Sequence, residues 1–330
     1  MPISRRLPCG DGQSTNLPLT RAGVPAYFSR CENDTGGCAS SRRLRFSASH
    51  PAAPLLSQPA VTSPMPSVLL LIPAYNEEER IEPTLREYAT YFRANFAGRF
   101  EILVVLNGCR DNTLAVVERV AKDFPEVQVE NFPAPIGKGG ALIEGLRHAP
   151  KVDLIGYVDA DGATPPAAFH QLIGHTEWAD CVIGSRWLEG AVLHQAQPWF
   201  RQFTSRCFHA IVESLFGMGI ADTQCPAKIA RRAAIETIHS QLRTADLAFD
   251  VNLLYSLTHA GFKVQELPTE WTDKLGSKVT SSLFRSSAIM FFSTVRLRLV
   301  YSPLYDRLRP LRWVGDWLYR VLRAPTVKRN

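Results

Sequence analysis

Five consecutive apolar residues, Val68-Leu69-Leu70-Leu71-Ile72, run straight into Pro73. A strand with one wet face alternates apolar and polar residues, so an unbroken run of this length belongs to a strand buried on both faces. Burial on both faces demands helices above and below, and the chain supplies them. Glu77 to Asn95 carries Ile81, Leu85, Tyr88, Ala89 and Phe92 at helical spacing. A second apolar run, Phe100 to Leu106, follows, then a helix capped by Asn112 with Leu114, Val117 and Val120 on one face. Val127 to Glu130 reads as a short strand, and Ile136-Gly137-Lys138-Gly139-Gly140 opens a helix running to about His148. Asp153 to Val158 is another buried run, a helix starts from Pro165, and Asp180 to Gly184 is a further strand. Strand and helix in alternation specify an α/β protein with a mostly parallel, doubly wound, Rossmann-like sheet.

The alternation begins sharply at Ser67 and changes character after Pro198. Residues 1–66 are rich in Pro, Ser, Ala, Arg and Gly without sustained periodicity, and read as a disordered tail, either transit-like or from an over-long gene start, with Met65 as the natural alternative beginning. Beyond Pro198, helices are expected over Trp199–Phe216, with Phe203, Phe208, Ile211, Val212 and Leu215 buried, over Ala230–Gln241 and over Phe249–Ala260, then a strand over Phe262–Leu267. The division is therefore a tail over 1–66, a catalytic-type domain over 67–280, and basic amphipathic helices over 281–330. In that last stretch Phe284, Phe291, Phe292, Trp313 and Trp317 stand among arginines, a composition suited either to a membrane interface or to packing on the domain.

Net charge is +6, with much of the excess at the two ends. No zinc-finger spacing, aromatic RNA-binding motif or DNA-reading helix accompanies it, so no nucleic-acid partner is expected. Seven scattered cysteines without a Cys-x-x-Cys point to a reducing compartment, and no apolar run reaches the roughly 18 residues needed to span a bilayer.

The chemistry centres on Asp159-Ala160-Asp161-Gly162-Ala163-Thr164, directly after a buried strand. Side chains two apart on an extended chain share a face, so the two carboxylates could converge where open α/β sheets bind ligands. Two such charges call for a cation, and hard oxygen ligands suit Mg²⁺ or Mn²⁺; the same residues also make an ordinary solvated turn. Gly137-Lys138-Gly139-Gly140 looks like a phosphate cradle but does not complete a P-loop, and no Gly-x-Gly-x-x-Gly follows the first strand, which counts against a dinucleotide-dependent dehydrogenase. A sugar nucleotidyltransferase normally has a basic glycine-rich loop at that point, where this chain has the acidic Asn76-Glu77-Glu78-Glu79.

Taken in order, Pro73-Ala74-Tyr75-Asn76-Glu77, Gly137-Lys138-Gly139-Gly140-Ala141, Asp159 to Thr164, Gly184-Ser185-Arg186, Asp222-Thr223-Gln224-Cys225, Phe249-Asp250-Val251 and Gly276-Ser277-Lys278 resemble an inverting family-2 glycosyltransferase of the GT-A fold. The resemblance is strongest to the dolichyl-phosphate β-glucosyltransferases, then to the dolichyl-phosphate mannose synthases, and covers about Ser67 to Lys278. It implies a hexose, glucose for choice, moved from a nucleotide-sugar donor to a polyprenyl or dolichyl phosphate acceptor. The enzyme would be cytoplasmic and peripheral on a membrane surface. A hydroxyl or saccharide acceptor, and a non-catalytic nucleotide-binding module, are the alternatives.

Residue roles follow by resemblance. Pro73, Tyr75 and Glu77 would hold the nucleoside, with Lys138 also on the donor, Asp159 near the ribose or sugar, and Asp161 on Mg²⁺ or Mn²⁺. Arg186 and Lys278 would neutralise phosphate, with Arg206 and Lys228 as further candidates, and Asp222 would stand near the acceptor. Two positions depart from the family. Leu106-Asn107-Gly108-Cys109 replaces the usual Asp-Asp-Gly-Ser, and Ala163 stands where the mannose synthases carry a glutamine.

Overall fold

A computed structural model of the chain describes residues 65–194, 199–272 and 283–302. The tail up to residue 64, Lys278 and the tryptophan-bearing stretch after residue 302 lie outside the described residues.

Seven strands form one sheet: β1 Val68–Ala74, β2 Phe100–Asn107, β3 Val127–Phe132, β4 Leu154–Tyr157, β5 Cys181–Ser185, β7 Lys228–Arg231 and β8 Val264–Pro268, in the order β3-β2-β1-β4-β7-β5-β8. All neighbours are parallel except β7, which runs antiparallel to both β4 and β5. Two short segments, β6 Val192–Leu193 and β9 Glu270–Trp271, pair separately. The chain builds outward from β1 through β2 and β3, then returns to place β4 on the other side of β1. Strand order reverses between β1 and β4, and that crevice is where open α/β sheets take their ligands.

The unbroken apolar run of β1 is buried as its pattern requires. Val68, Leu70 and Ile72 face a core shared with α1 Ile81–Asn95, α2 Thr113–Asp123 and α4 Pro166–Gly174, while Leu69 and Leu71 face a second core with α3 Lys138–His148, α6 Arg232–Ile238 and α7 Phe249–His259. None of these five side chains exceeds 1% exposure. Burial of each contributes on the order of 1.5–3 kcal/mol. Glu77–Arg80 forms a turn rather than the first turn of α1, which begins at Ile81. Asn112 sits at the N-cap of α2 but makes no side-chain cap; Asp111 instead accepts from the Thr113 amide at 3.1 Å.

The expected helix over Ala230–Gln241 is in part a strand. Lys228 to Arg231 slot between β4 and β5, and only Arg232 to Ile238 are α-helical. Helix α5, Trp199–Phe216, is where the spacing placed it, with Val212 buried, but Phe203 is 62% exposed. Helix α8, Leu283–Val300, packs on the domain. Leu297 joins Val212 and Val251 in a small third core, and Arg298 Nε donates to the Leu215 carbonyl at 2.7 Å. Phe291, Phe292 and Leu299 on the same helix stay exposed. Among the described residues, no helix is long and apolar enough to cross a membrane.

Candidate active site

The Asp159–Thr164 segment leaves the sheet at the end of β4, beside the crevice. Asp159 lies just past the end of the strand and Asp161 in the turn that follows, so the two aspartates are not on a regular extended strand. Gly162 adopts φ +68, and a Cβ there would stand 2.9 Å from Thr84 Oγ1. The start of α1 fixes this turn: Thr84 Oγ1 donates to the Ala160 carbonyl at 3.1 Å and Tyr88 Oη to the Thr164 carbonyl at 3.0 Å. From the opposite side the Thr272 amide donates to the Ala163 carbonyl at 2.9 Å. The Ala163 amide in turn donates to Asp161 Oδ1 at 3.0 Å.

Lys138, at the first turn of α3, reaches Asp159 Oδ1 at 2.5 Å. Its loop is latched by Asn107 Oδ1, which accepts the Ile136 amide at 2.6 Å and the Gly137 amide at 2.9 Å. Gly139 is required where α3 meets the chain before α7, since a Cβ would lie 2.4 Å from the Thr244 carbonyl oxygen. Burial alone would lower the Lys138 pKa, but the carboxylates of Asp159, Asp250 and Asp161 outweigh it and hold the ammonium charged. Burial, then repulsion from Asp159, pushes the Asp161 carboxyl above its ordinary range, with the Ala163 amide, Arg80 and Lys138 pulling the other way. Two carboxylates sharing part of one lysine form a site short of positive charge, which fits a divalent cation. Among the described residues no three side chains gather as metal ligands. A cation here would therefore complete its shell with ligand oxygens and water, as Mg²⁺ commonly does.

On the other wall, Tyr75 is 45% exposed past the end of β1, next to half-buried Pro73. Asn76 takes φ +54, and its Oδ1 accepts from the Arg110 amide at 2.7 Å. Cys109, where the family has serine, accepts the Asn76 amide at 3.4 Å and donates to the Ala74 carbonyl at 3.5 Å, tying the ends of β1 and β2 together. The Glu77 carboxylate is gripped by Arg80, Nε to Oε2 and Nη2 to Oε1 both at 2.8 Å.

Two expected phosphate ligands are engaged elsewhere. Arg186 forms a two-pronged ion pair with Asp222, Nε to Oδ2 at 2.7 Å and Nη2 to Oδ1 at 2.9 Å. Burial alone would push the Asp222 carboxyl up; the hydrogen bonds and charge of Arg186 outweigh it and hold it below the ordinary carboxylate range. Lys228 is 1% exposed, and its Nζ is taken by Asp250 Oδ1 at 2.6 Å and by the Cys225 carbonyl. Its charge is therefore met inside the fold by Asp250. Arg206 is on the surface of α5 with its guanidinium 4.8 Å from the centre of the Trp187 ring.

Sequence reasoning gave no role to Asp250, although Phe249-Asp250-Val251 was among the motifs it singled out. Asp250 accepts a hydrogen bond from Tyr157 Oη as well as the Lys228 ammonium, joining β4, β7 and α7 two residues before Asp159. Burial would raise its pKa, but Lys228 and Lys138 lower it on balance.

The fold is a doubly wound α/β sheet with an aspartate turn and a lysine-bearing glycine loop at its switch point. The sequence profile described as "Glycosyl transferase family 2" matches residues 69–238, and the chain belongs to that family. It is a glycosyltransferase. A dolichyl-phosphate beta-glucosyltransferase of Trichomonas vaginalis is 35% identical over 223 residues, 64% of this chain and 66% of that protein. The dolichyl-phosphate beta-glucosyltransferase of Homo sapiens is 30% identical over 269 residues, covering 77% and 78% of the two chains. Among solved structures, glucosyl-3-phosphoglycerate synthase from Mycobacterium tuberculosis, in complex with Mn²⁺, uridine diphosphate and glucosyl-3-phosphoglycerate, is similar with a TM-score of 0.52 at 16% identity, over 70% of this chain and 80% of that one. At that identity the likeness speaks for the GT-A fold.

Proposed function

We propose that this enzyme transfers glucose, with inversion, from UDP-glucose to dolichyl phosphate or a related polyprenyl phosphate. The names of its relatives support the sugar and the acceptor class. The observation that carries the choice of acceptor is the buried Arg186–Asp222 pair. A hydroxyl acceptor needs a general base, and Asp222, the carboxylate expected near the acceptor, is held ionised by two hydrogen bonds from a guanidinium. A phosphate monoester has a second pKa near about 6 and is largely dianionic at neutral pH, so it attacks without a base. The acceptor oxygen would form the new bond to the anomeric carbon from the face opposite the leaving group, while the bond from that carbon to the diphosphate oxygen breaks.

In this reading Tyr75, Pro73 and the Asn76–Glu77 backbone line the nucleoside end. Lys138 would turn from Asp159 to the diphosphate, and Asp161, with Asp159 beside it, would hold Mg²⁺ or Mn²⁺. When bound, that cation neutralises charge developing on the leaving group. The exposed Phe291, Phe292 and Leu299 of α8 and Phe203 of α5, with Arg206, suit contact with the cytoplasmic face of a membrane, where the acceptor is. Incubating the full chain with UDP-glucose, MnCl₂ and dolichyl phosphate tests the reading. Lipid-linked glucose is expected, and product formed only on soluble acceptors would overturn it. Flotation with phosphatidylserine liposomes tests the surface, with weaker binding expected for Phe291→Ser/Phe292→Ser.

A further inference from the structure

The Arg186–Asp222 pair has a second aspect: two buried hydrogen-bond donors stand beside it without partners. Trp271 in β9 is 7% exposed and its ring lies 5.3 Å from the Arg186 guanidinium. Its indole Nε1 is buried and has no hydrogen-bond partner among the described residues. Gln224, whose backbone N–H donates to Asp222 Oδ1 at 3.2 Å, has a buried and equally unpartnered side-chain Nε2. Trp271 is close to the catalytic turn, because the amide after it, that of Thr272, donates to the Ala163 carbonyl at 2.9 Å, and Gln224 joins the same cluster through Asp222. Thr164 Oγ1, at the end of that turn, is a third buried polar atom without a partner.

Buried donors left unpaired are costly, and each calls for a partner such as a bound ligand or an ordered water. The charges nearby say what kind. Arg186 is paired with Asp222, and Glu266 accepts the Ala221 amide at 2.7 Å and the Asp222 amide at 2.9 Å, so two carboxylates accompany the one guanidinium. An anion gains nothing there. Neutral hydroxyl oxygens, which accept one hydrogen bond each from an indole or amide N–H, match the set.

We infer that Trp271 Nε1 and Gln224 Nε2 are sugar-reading donors that bind hydroxyl groups of the hexose on the nucleotide donor. The inference rests on the nucleotide-sugar reading above and names the residues that distinguish one sugar from another. The Arg186–Asp222 pair then serves as a rigid support that sets both donors, instead of as a phosphate clamp.

The test is equilibrium binding of UDP and of UDP-glucose, with MnCl₂ and without acceptor, to the full chain, to Trp271→Phe and to Gln224→Met. Trp271→Phe keeps an aromatic ring and deletes the N–H. UDP should bind all three proteins within about twofold, while UDP-glucose should weaken about five- to tenfold in each variant, the size of one neutral hydrogen bond. Across the monodeoxy analogues of UDP-glucose, one should bind wild type about as weakly as UDP-glucose binds Trp271→Phe, and lose nothing further in that variant. Equal weakening of UDP and UDP-glucose would mean a structural role and overturn the inference. So would wild-type affinity that is indifferent to every deoxy analogue, the signature of a pocket filled by water. Because no acceptor is present, failure to glucosylate dolichyl phosphate would count against the acceptor and leave this result standing.

Discussion

Arg186 and Asp222 meet through two parallel hydrogen bonds of 2.7 and 2.9 Å, with the aspartate 2% exposed. Breaking a buried pair by removing one charge is far more costly than removing both. Asp222→Asn should therefore destabilise the fold by about 3–5 kcal/mol, measured by urea denaturation. Asp222→Asn combined with Arg186→Met should recover part of that loss. A single variant as stable as wild type would mean the pair is not closed in solution.

Acid should expose the same pairs. Asp222 and Asp250 both titrate below the ordinary carboxylate range in the fold, through Arg186 and through Lys228 with Lys138. Their contribution is complete above the unfolded value of about 3.9 and drains away as pH falls through the lower folded values. Stability should thus fall on acidification below about pH 4, and less steeply in the Asp222→Asn/Arg186→Met protein. Identical acid limbs would contradict the assignment.

Lys138→Met removes the only cation that an ion pair places on Asp159 among the described residues. Loss of one preorganised charge at a developing diphosphate predicts a roughly hundredfold drop in kcat/KM. Thermal stability should change little, because the side chain is partly exposed. An unchanged kcat/KM at saturating MnCl₂ would remove Lys138 from the donor site.

Two glycines make a contrasting pair. Gly162 has φ +68 and close contact with Thr84, so Gly162→Ala should cost about 1–3 kcal/mol and weaken binding of UDP with MnCl₂. Gly174, at the end of α4, has φ −60 and nothing within 4 Å of a built Cβ. Gly174→Ala should stabilise the protein by about 0.4–1 kcal/mol and leave activity alone. A single melting series reads both.

The parallel half of the fold was legible because each strand buried on both faces is a contiguous apolar run, and each helix repeats its apolar residues on one face. β7 was not: Lys228-Ile229-Ala230-Arg231 is short, has charges at both ends and leads directly into a helix, so local pattern merges the two. The aspartate turn, the lysine loop and the nucleoside wall could be found from motifs. The status of the charges could not, since whether a basic residue faces a ligand or a carboxylate depends on partners distant in sequence. Arg186 and Asp222 are 36 residues apart, and Lys228 and Asp250 are 22 apart. Trp271 gave no signal and Gln224 stood in the Asp222–Cys225 motif without a role, because an unpartnered donor exists only once the surroundings are folded.

The antiparallel β7 also has a consequence for synthesis. It fills the gap between β4 and β5, so the β4 edge away from β1 stays unpaired until residues 228–231 have left the ribosome. The β4 edge must wait for about 70 residues of further chain, several seconds at about 5–20 residues per second. During that interval an apolar strand edge stands open, inviting a wrong partner. The strand that completes the sheet late is also the one carrying Lys228, which locks to Asp250 and Tyr157 beneath the aspartate turn.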